Sequence, residues 1–337
     1  MAYSGAPGKR LTIVAGGLQE PAQNDTDDAL QNRADALKRL ARSESTRAAY
    51  QSDFAHFKAW CTEQGRLFLP AAPATVELYL AAHADKLKVS TLERRLVSIS
   101  RQHQAEGYDT PTGDRKVRET LKGIRREAAL EGRAAPRQKA PLVTKKLRSV
   151  IDVLDLETLM GKRDKALLLL GFAGALRASE IGQITVADLK DTGSGYLLTI
   201  RRSKTDQEGQ GQQIAIPLGT NEDLCPVRAV KAWLKAAHIK KGPVIRAIDR
   251  HGNVAETGLR RWAVGRIIKA AATRAGLDGE AFAGHSLRAG LATSAALNGA
   301  PYAKIKQQTR HKSDKVLGRY VRDAELFRDN AANTAGL

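Results

Sequence analysis

The stretch Arg133–Pro141, RAAPRQKAP, is the strongest constraint on how this chain can fold. Pro136 and Pro141 each remove a backbone donor and fix φ, so no helix runs through it. The segments on either side must build separate cores, and 337 residues are enough for two. The connector is also cationic. Residues 101–150 carry 13 basic and 6 acidic side chains, a net of +7, whereas residues 1–100 carry 13 and 11, a net of +2. Over the whole chain, 55 Lys and Arg against 36 Asp and Glu leave a formal charge of +19. An excess of this size beside a domain boundary points to a polyanionic partner, across which an extended basic strap could lie.

Several other classes are set aside by what the chain does not contain. No apolar run approaches the roughly 20 residues of a membrane span, and the N-terminus lacks the apolar stretch and cleavage site of a signal peptide, so the expectation is a cytosolic protein with no membrane partner. Cys61 and Cys225 are the only cysteines, far apart, which rules out a disulfide framework and a cysteine zinc site. The histidines form no pair at helical metal-binding spacing, and no glycine-rich phosphate loop ends in Lys-Ser or Lys-Thr. Neither a metal nor a cofactor is expected.

Before the connector the pattern is helical. Residues 1–28 read as a flexible tail, followed by a helix over Asp28 to Arg42. Ser43 or Ser45 caps a second, in which Tyr50, Phe54, Phe57 and Cys61 repeat at helical steps before Gly65. Pro73 opens a third, with Val76, Tyr79 and Leu80 inward. Ser90 caps a fourth, turning Leu92, Leu96, Ile99 and His103 inward and Arg94, Arg95 and Arg101 away. A basic helix runs from Asp114 to about Glu131. His83 and His103 are packing residues. After the connector, Thr144 caps a helix and an apolar one covers Asp164 to Gly174. Tyr196–Arg202 and Gln212–Leu218 read as two strands joined by a glycine-rich turn. Helices return over Val227–Ala237, Leu259–Ala275, Ser286–Asn298, Tyr302–Gln308 and Asp314–Val321. The fold class is mainly α with a small antiparallel β-sheet in the C-terminal domain.

Four polar segments stand out: ALRASE (175–180), SKT (203–205), HSLRAG (285–290) and RHKSDKVLGRY (310–320). Each alone has an ordinary reading, since Arg177 could be a helix-end charge, Lys204 an exposed turn residue and Tyr320 a core tyrosine. In this order they resemble the catalytic domain of the tyrosine recombinase family: phage integrases and Cre- and Xer-like site-specific recombinases. The family pattern of Arg with a nearby acid, hairpin Lys, His-x-x-Arg, His or Trp, then Tyr falls on Arg177 with Glu180, Lys204, His285 with Arg288, His311 and Tyr320. Gly284 and Gly290 also match, and the N-terminal SESTRAAYQSDFAHFKAWC and GIRREAALEGRA are Cre-like in helix register. Two departures are present: Arg310 stands where many members have Gly, and His311 where Cre-like members have Trp.

The resemblance implies a two-domain, C-shaped DNA clamp: a helical core-binding domain at 29–132, a basic linker at 133–141, a catalytic domain at 142–322, and a segment 323–337 that docks on a neighbouring protomer. It implies cleavage and rejoining of DNA through a 3′-phosphotyrosyl intermediate and a Holliday junction, without ATP or metal. Its partners would be a double-stranded site with inverted half-sites and copies of itself, a dimer on one site and a tetramer in synapsis, near the nucleoid of a bacterial host and on a mobile element. The chemistry fits the residue types. A free tyrosine is about one part in a thousand phenolate at pH 7, an activation cost of about 4 kcal/mol, and a phosphodiester under attack gathers negative charge. Guanidinium forks match that charge. Arg177 and Arg288 are therefore assigned to the phosphate clamp with His311 as a further donor, Lys204, as the resemblance implies, to protonation of the leaving 5′ oxygen, His285 to accepting the Tyr320 proton or hydrogen-bonding the phosphate, and Glu180 to orienting Arg177. Arg47, Arg94, Arg95, Arg101, Arg125, Arg126, Arg260, Arg261 and Arg266 are candidate DNA contacts. Two alternatives are a type IB topoisomerase-like nicking-closing enzyme and a catalytically idle DNA-binding regulator.

Overall fold

The computed structural model describes residues 23–41, 43–134, 138–201 and 211–325. Two compact units divide between Pro136 and Arg137. In the N-terminal unit the helices are α1 (Gln23–Leu40), α2 (Glu44–Glu63), α3 (Pro73–His83), α4 (Val89–Ala105) and α5 (Arg115–Leu130). Ser43 caps α2, its hydroxyl accepting from the Thr46 N–H, and Asp114 caps α5 through the Lys116 N–H. The apolar residues spaced along α2, α3 and α4 meet in one core of Phe57, Cys61, Val76, Tyr79, Leu80, Leu92 and Ile99, closed by Val117 and Leu121 of α5. His103 is fully buried, accepting from the Ala71 N–H at 2.8 Å. Three details differ from the sequence reading. Helix α1 begins at Gln23, inside the expected tail. Helix α4 starts from Lys88, whose extended backbone (ψ 143°) is the N-cap, leaving Ser90 in the first turn. Arg95 does not turn away from the core.

The C-terminal unit runs α6 (Thr144–Asp152), α7 (Leu159–Ala173), α8 (Ala178–Ile181), β1 (Leu189–Asp191), β2 (Gly195–Ile200), β3 (Gln212–Pro217), α9 (Pro226–Ala236), β4 (Arg246–Ile248), β5 (Val254–Gly258), α10 (Arg261–Arg274), α11 (Ser286–Leu297), α12 (Tyr302–Thr309) and α13 (Asp314–Glu325). Strands β1-β2-β3 form an antiparallel sheet in which Tyr196 pairs with Ile216 and Leu198 with Ile214, so one face is continuously apolar. A separate β4-β5 hairpin accompanies it. Helix α7 buries four consecutive leucines, Leu167 to Leu170, because it is enclosed on every side. It starts at Leu159, capped by Thr158, rather than at Asp164, which is instead buried in an ion pair with Arg163. Likewise Val143 rather than Thr144 caps α6. The Thr144 N–H donates to the Ser294 hydroxyl of α11 at 2.9 Å, so the unit's own core satisfies the helix end.

Helix α11 is the central strut of the site. Its small residues let neighbours approach closely: a Cβ on Gly290 would lie 2.1 Å from the Leu142 carbonyl oxygen, and one on Gly284 just before it 2.6 Å from the Ala178 Cβ. Glycine at those two positions brings the His285–Arg288 turn against α8 and the Leu142 strand of chain. Helix α13 packs on α11 and α12 through Leu317, Ala292, Ala296 and Ile305, with Tyr320 at the edge of that patch. Among the described residues no helix is long and apolar enough to cross a membrane.

Candidate active site

The turn after α7 brings Ala175 into a left-handed backbone (φ 44°) and sends Arg177 into the N-cap of α8. One helical turn on, Glu180 folds back. It accepts from the Arg177 backbone N–H at 2.9 Å and from its Nη1 at 2.6 Å, which fixes the guanidinium relative to the helix end. Glu180 is 3% exposed. Burial pushes its carboxyl up, but Arg310 and the hydrogen bonds from Arg177 outweigh that and hold it below the usual carboxylate range.

Arg288 comes from the first turn of α11 and is 1% exposed. Its Nη1 donates to the Ala175 carbonyl at 2.8 Å and its Nε points to His311 Nε2 at 3.5 Å, while Nη2 has no hydrogen-bond partner among the described residues. Burial, then Arg177 and Arg310, push this guanidinium down to about 9, still charged at neutral pH. His311 follows α12. Burial and then Arg288 hold its imidazole down to about 3, so the ring is neutral at pH 7. Its Nδ1 lies 2.8 Å from the Thr309 hydroxyl, which donates to the Ile305 carbonyl; the ring therefore carries its proton on Nδ1 and presents a lone pair to Arg288. In this arrangement His311 is an acceptor, whereas the sequence reading made it a phosphate donor.

Tyr320, on α13, is brought to His285: the phenol Oη lies 3.0 Å from His285 Nε2. Burial, then Arg288 and Arg177, lower the His285 pKa, keeping the ring in the neutral form that can accept a proton. Six of the seven sequence-assigned residues, Glu180 among them, thus converge from α8, α11, α12 and α13. Lys204 lies outside the described residues.

Sequence reasoning passed over Arg310, noting it only as a departure from glycine. The residue ends α12 in a left-handed conformation (φ 56°, ψ 40°) and turns its side chain into the site, where Nη2 reaches Glu180 Oε2 at 3.1 Å. The signal was the unusual basic residue directly before His311.

The DNA-contact candidates divide. Arg95 is a correction: it is 8% exposed, donating to the Tyr79 hydroxyl at 2.7 Å beside buried Asp53, and so braces the N-terminal core. Arg94 is bound by both oxygens of Asp53 (2.6 and 3.0 Å) and Arg125 by Glu93 (2.7 Å). Arg101 lies over the Tyr50 ring at 5.1 Å, and Arg266 over exposed Trp262 at 5.3 Å. Arg126, Arg260 and Arg261 are exposed, and Arg47 is half-buried on α2.

Residues 141–326 match the phage integrase family. An integrase/recombinase xerD homolog of Selenomonas ruminantium is 40% identical over 319 residues, 94% of this chain and 92% of that protein. The recombinase cre of Escherichia phage P1 is 26% identical over 323 residues, covering 90% and 92%. In fold, the chain resembles lambda integrase residues 75–356, solved as a dimer bound to a COC' core site, with a TM-score of 0.56 at 17% identity, covering 90% of this chain and 98% of that one. The chain belongs to the phage integrase family and is an enzyme of the tyrosine recombinase class.

Proposed function

We propose that this enzyme is a site-specific recombinase that cuts and rejoins double-stranded DNA through Tyr320. The observation that carries the reading is the 3.0 Å approach of His285 to Tyr320 at the edge of a cluster holding three guanidiniums and one carboxylate. His285 Nε2 takes the phenolic proton as Oη attacks the phosphorus. The pentavalent oxygens gain charge against Arg177 and Arg288, and the 5′ oxygen leaves with a proton from Lys204. A 3′-phosphotyrosyl bond forms as the P–O5′ bond breaks, so the bond energy is retained and religation needs no nucleotide.

The two units would close on DNA as a clamp, a core-binding domain at 29–132 and a catalytic domain at 142–322 joined by the basic linker 133–141. Arg47, Arg101, Arg126, Arg260, Arg261 and Arg266 serve as phosphate contacts. Two protomers on inverted half-sites, and four in synapsis, would pass strands through a Holliday junction, with residues 323–337 docking on a neighbour. Helix α13 runs three residues into that segment, and residues 326–337 lie outside the described residues.

The test is recombination between two copies of an inverted-repeat site, mapped by protection of DNA flanking the coding region and placed on one plasmid. Site-dependent exchange supports the proposal. Relaxation of a supercoiled plasmid lacking the site, with no exchange, would replace it with a nicking-closing activity.

A further inference from the structure

The left-handed cap at Arg310 (φ 56°) is a position where glycine is at ease and a residue with a side chain is strained. A residue kept there against its backbone preference needs a side-chain contribution. Arg310 Nη2 donates to the Gly174 carbonyl at 3.2 Å, the Ala175 carbonyl at 3.1 Å and Glu180 Oε2 at 3.1 Å. Two of these three acceptors also hold the two clamp arginines. Ala175 also accepts from Arg288, and Glu180 also accepts from Arg177.

We propose that Arg310 is a positioning residue of the recombinase site, a guanidinium brace tying the carboxylate that orients Arg177 to the carbonyl that orients Arg288. The inference rests on the phosphoryl-transfer reading above and deepens it. Arg310 Nη2 is taken up by the Gly174 and Ala175 carbonyls and by Glu180, so it acts through these partners and not as the primary phosphate ligand. The brace matters because two forks must meet one phosphorus in a fixed relative orientation, and Arg177 and Arg288 come from different helices. Ala175 occupies a left-handed turn of its own, so the carbonyl between the two guanidiniums sits on backbone that would relax without them. Arg310 also supplies charge. It is the largest of the charges holding Glu180 ionised, and it helps to keep His311 neutral. Its Nε and Nη1, and Nη2 of Arg288, are buried with no hydrogen-bond partner among the described residues. Such donors cost stability at rest, and an entering phosphate would offset that cost at Arg288 Nη2.

The experiment compares the full-length protein with Arg310→Gly and Arg310→Lys on a nicked duplex carrying the mapped site, measuring binding by gel shift and single-turnover formation of the covalent adduct separately. Glycine suits the left-handed backbone, so Arg310→Gly removes the brace without adding strain. It should bind the duplex within about threefold of wild type and form the adduct about 30-fold more slowly, the range seen when an orienting partner is lost. Arg310→Lys keeps the charge but not the fork and should recover part of that rate. In a cycle with Glu180→Gln, the double variant should be at least about fivefold faster than the product of the single losses, because both act on the same link.

Arg310→Gly cleaving at the wild-type rate, or losing binding and cleavage in parallel, would overturn the brace. If the glycine variant does not fold, Arg310→Lys decides, and a wild-type adduct rate in that protein overturns the proposal. A wild-type protein that forms no adduct, or an adduct that persists in Tyr320→Phe, would instead bring down the functional reading on which the proposal rests.

Discussion

His285 Nε2 and Tyr320 Oη lie 3.0 Å apart although the two residues are 35 positions apart and on different helices. In the proposed reaction the pairing puts a neutral imidazole where the phenolic proton leaves. Its pH dependence follows from the direction of the His285 shift. Burial, then Arg288 and Arg177, lower the pKa from 6.5, so protonation that would block proton transfer begins only below that value. The acid limb of the single-turnover cleavage rate should have its midpoint below pH 6.5, with an unchanged rate from pH 8 to 7. A midpoint at or above 6.5 would contradict this role.

Glu180→Gln should keep the shape of the Arg177 contact and lose its charge, leaving Arg177 and Arg310 without their shared carboxylate. Adduct formation should fall by about 10- to 100-fold with DNA binding largely retained. Parallel rapid-quench and gel-shift measurements check this.

In the N-terminal unit, Asp53 is 4% exposed at its side chain and faces Arg95 as well as Arg94. Asp53→Ala leaves the buried Arg95 without its carboxylate and should destabilise that unit by about 3 kcal/mol, measured by urea unfolding. A loss under about 1 kcal/mol would mean that the contacts of Arg95 Nη1 to the Tyr79 hydroxyl (2.7 Å) and to His56 Nδ1 (3.0 Å) suffice.

The sequence periodicities carried most of the architecture. The three- and four-residue steps of α2, α3 and α4 foretold most of the residues that meet in the first core, and the segments Tyr196–Arg202 and Gln212–Leu218 were legible as the strands that pair as β2 and β3. Strands β1 and β4 were not legible, because three residues hold no periodicity, and β5 is half exposed. Helix starts at Val89 and Thr144 were displaced because backbone or distant side chains replaced the expected caps. The order of Arg177, His285, Arg288, His311 and Tyr320 was readable as a pattern. What could not be read was Arg310, whose placement depends on a left-handed turn and on carbonyls about 135 residues earlier. Nor could the engagement of Arg94 and Arg125 by acids 41 and 32 positions away be read.

His238 offers a test of the fold away from the site. It follows α9 with φ 53°, its N–H reaching the Lys235 carbonyl and the Ile239 N–H the Leu234 carbonyl, a helix terminus that glycine suits. His238 is exposed, so His238→Gly removes backbone strain without emptying a core. Stability of the C-terminal unit should rise by about 1 kcal/mol, read as a higher thermal midpoint.

The central claim is that Tyr320 is the nucleophile, and peptide mass spectrometry of the trapped protein–DNA adduct tests it most directly. After nuclease digestion of the adduct formed on the nicked site duplex, the residual nucleotide should sit on the peptide containing Tyr320, linked through its 3′ phosphate, and Tyr320→Phe should yield no adduct. A nucleotide on any other residue, or an adduct of undiminished yield in Tyr320→Phe, would contradict the account.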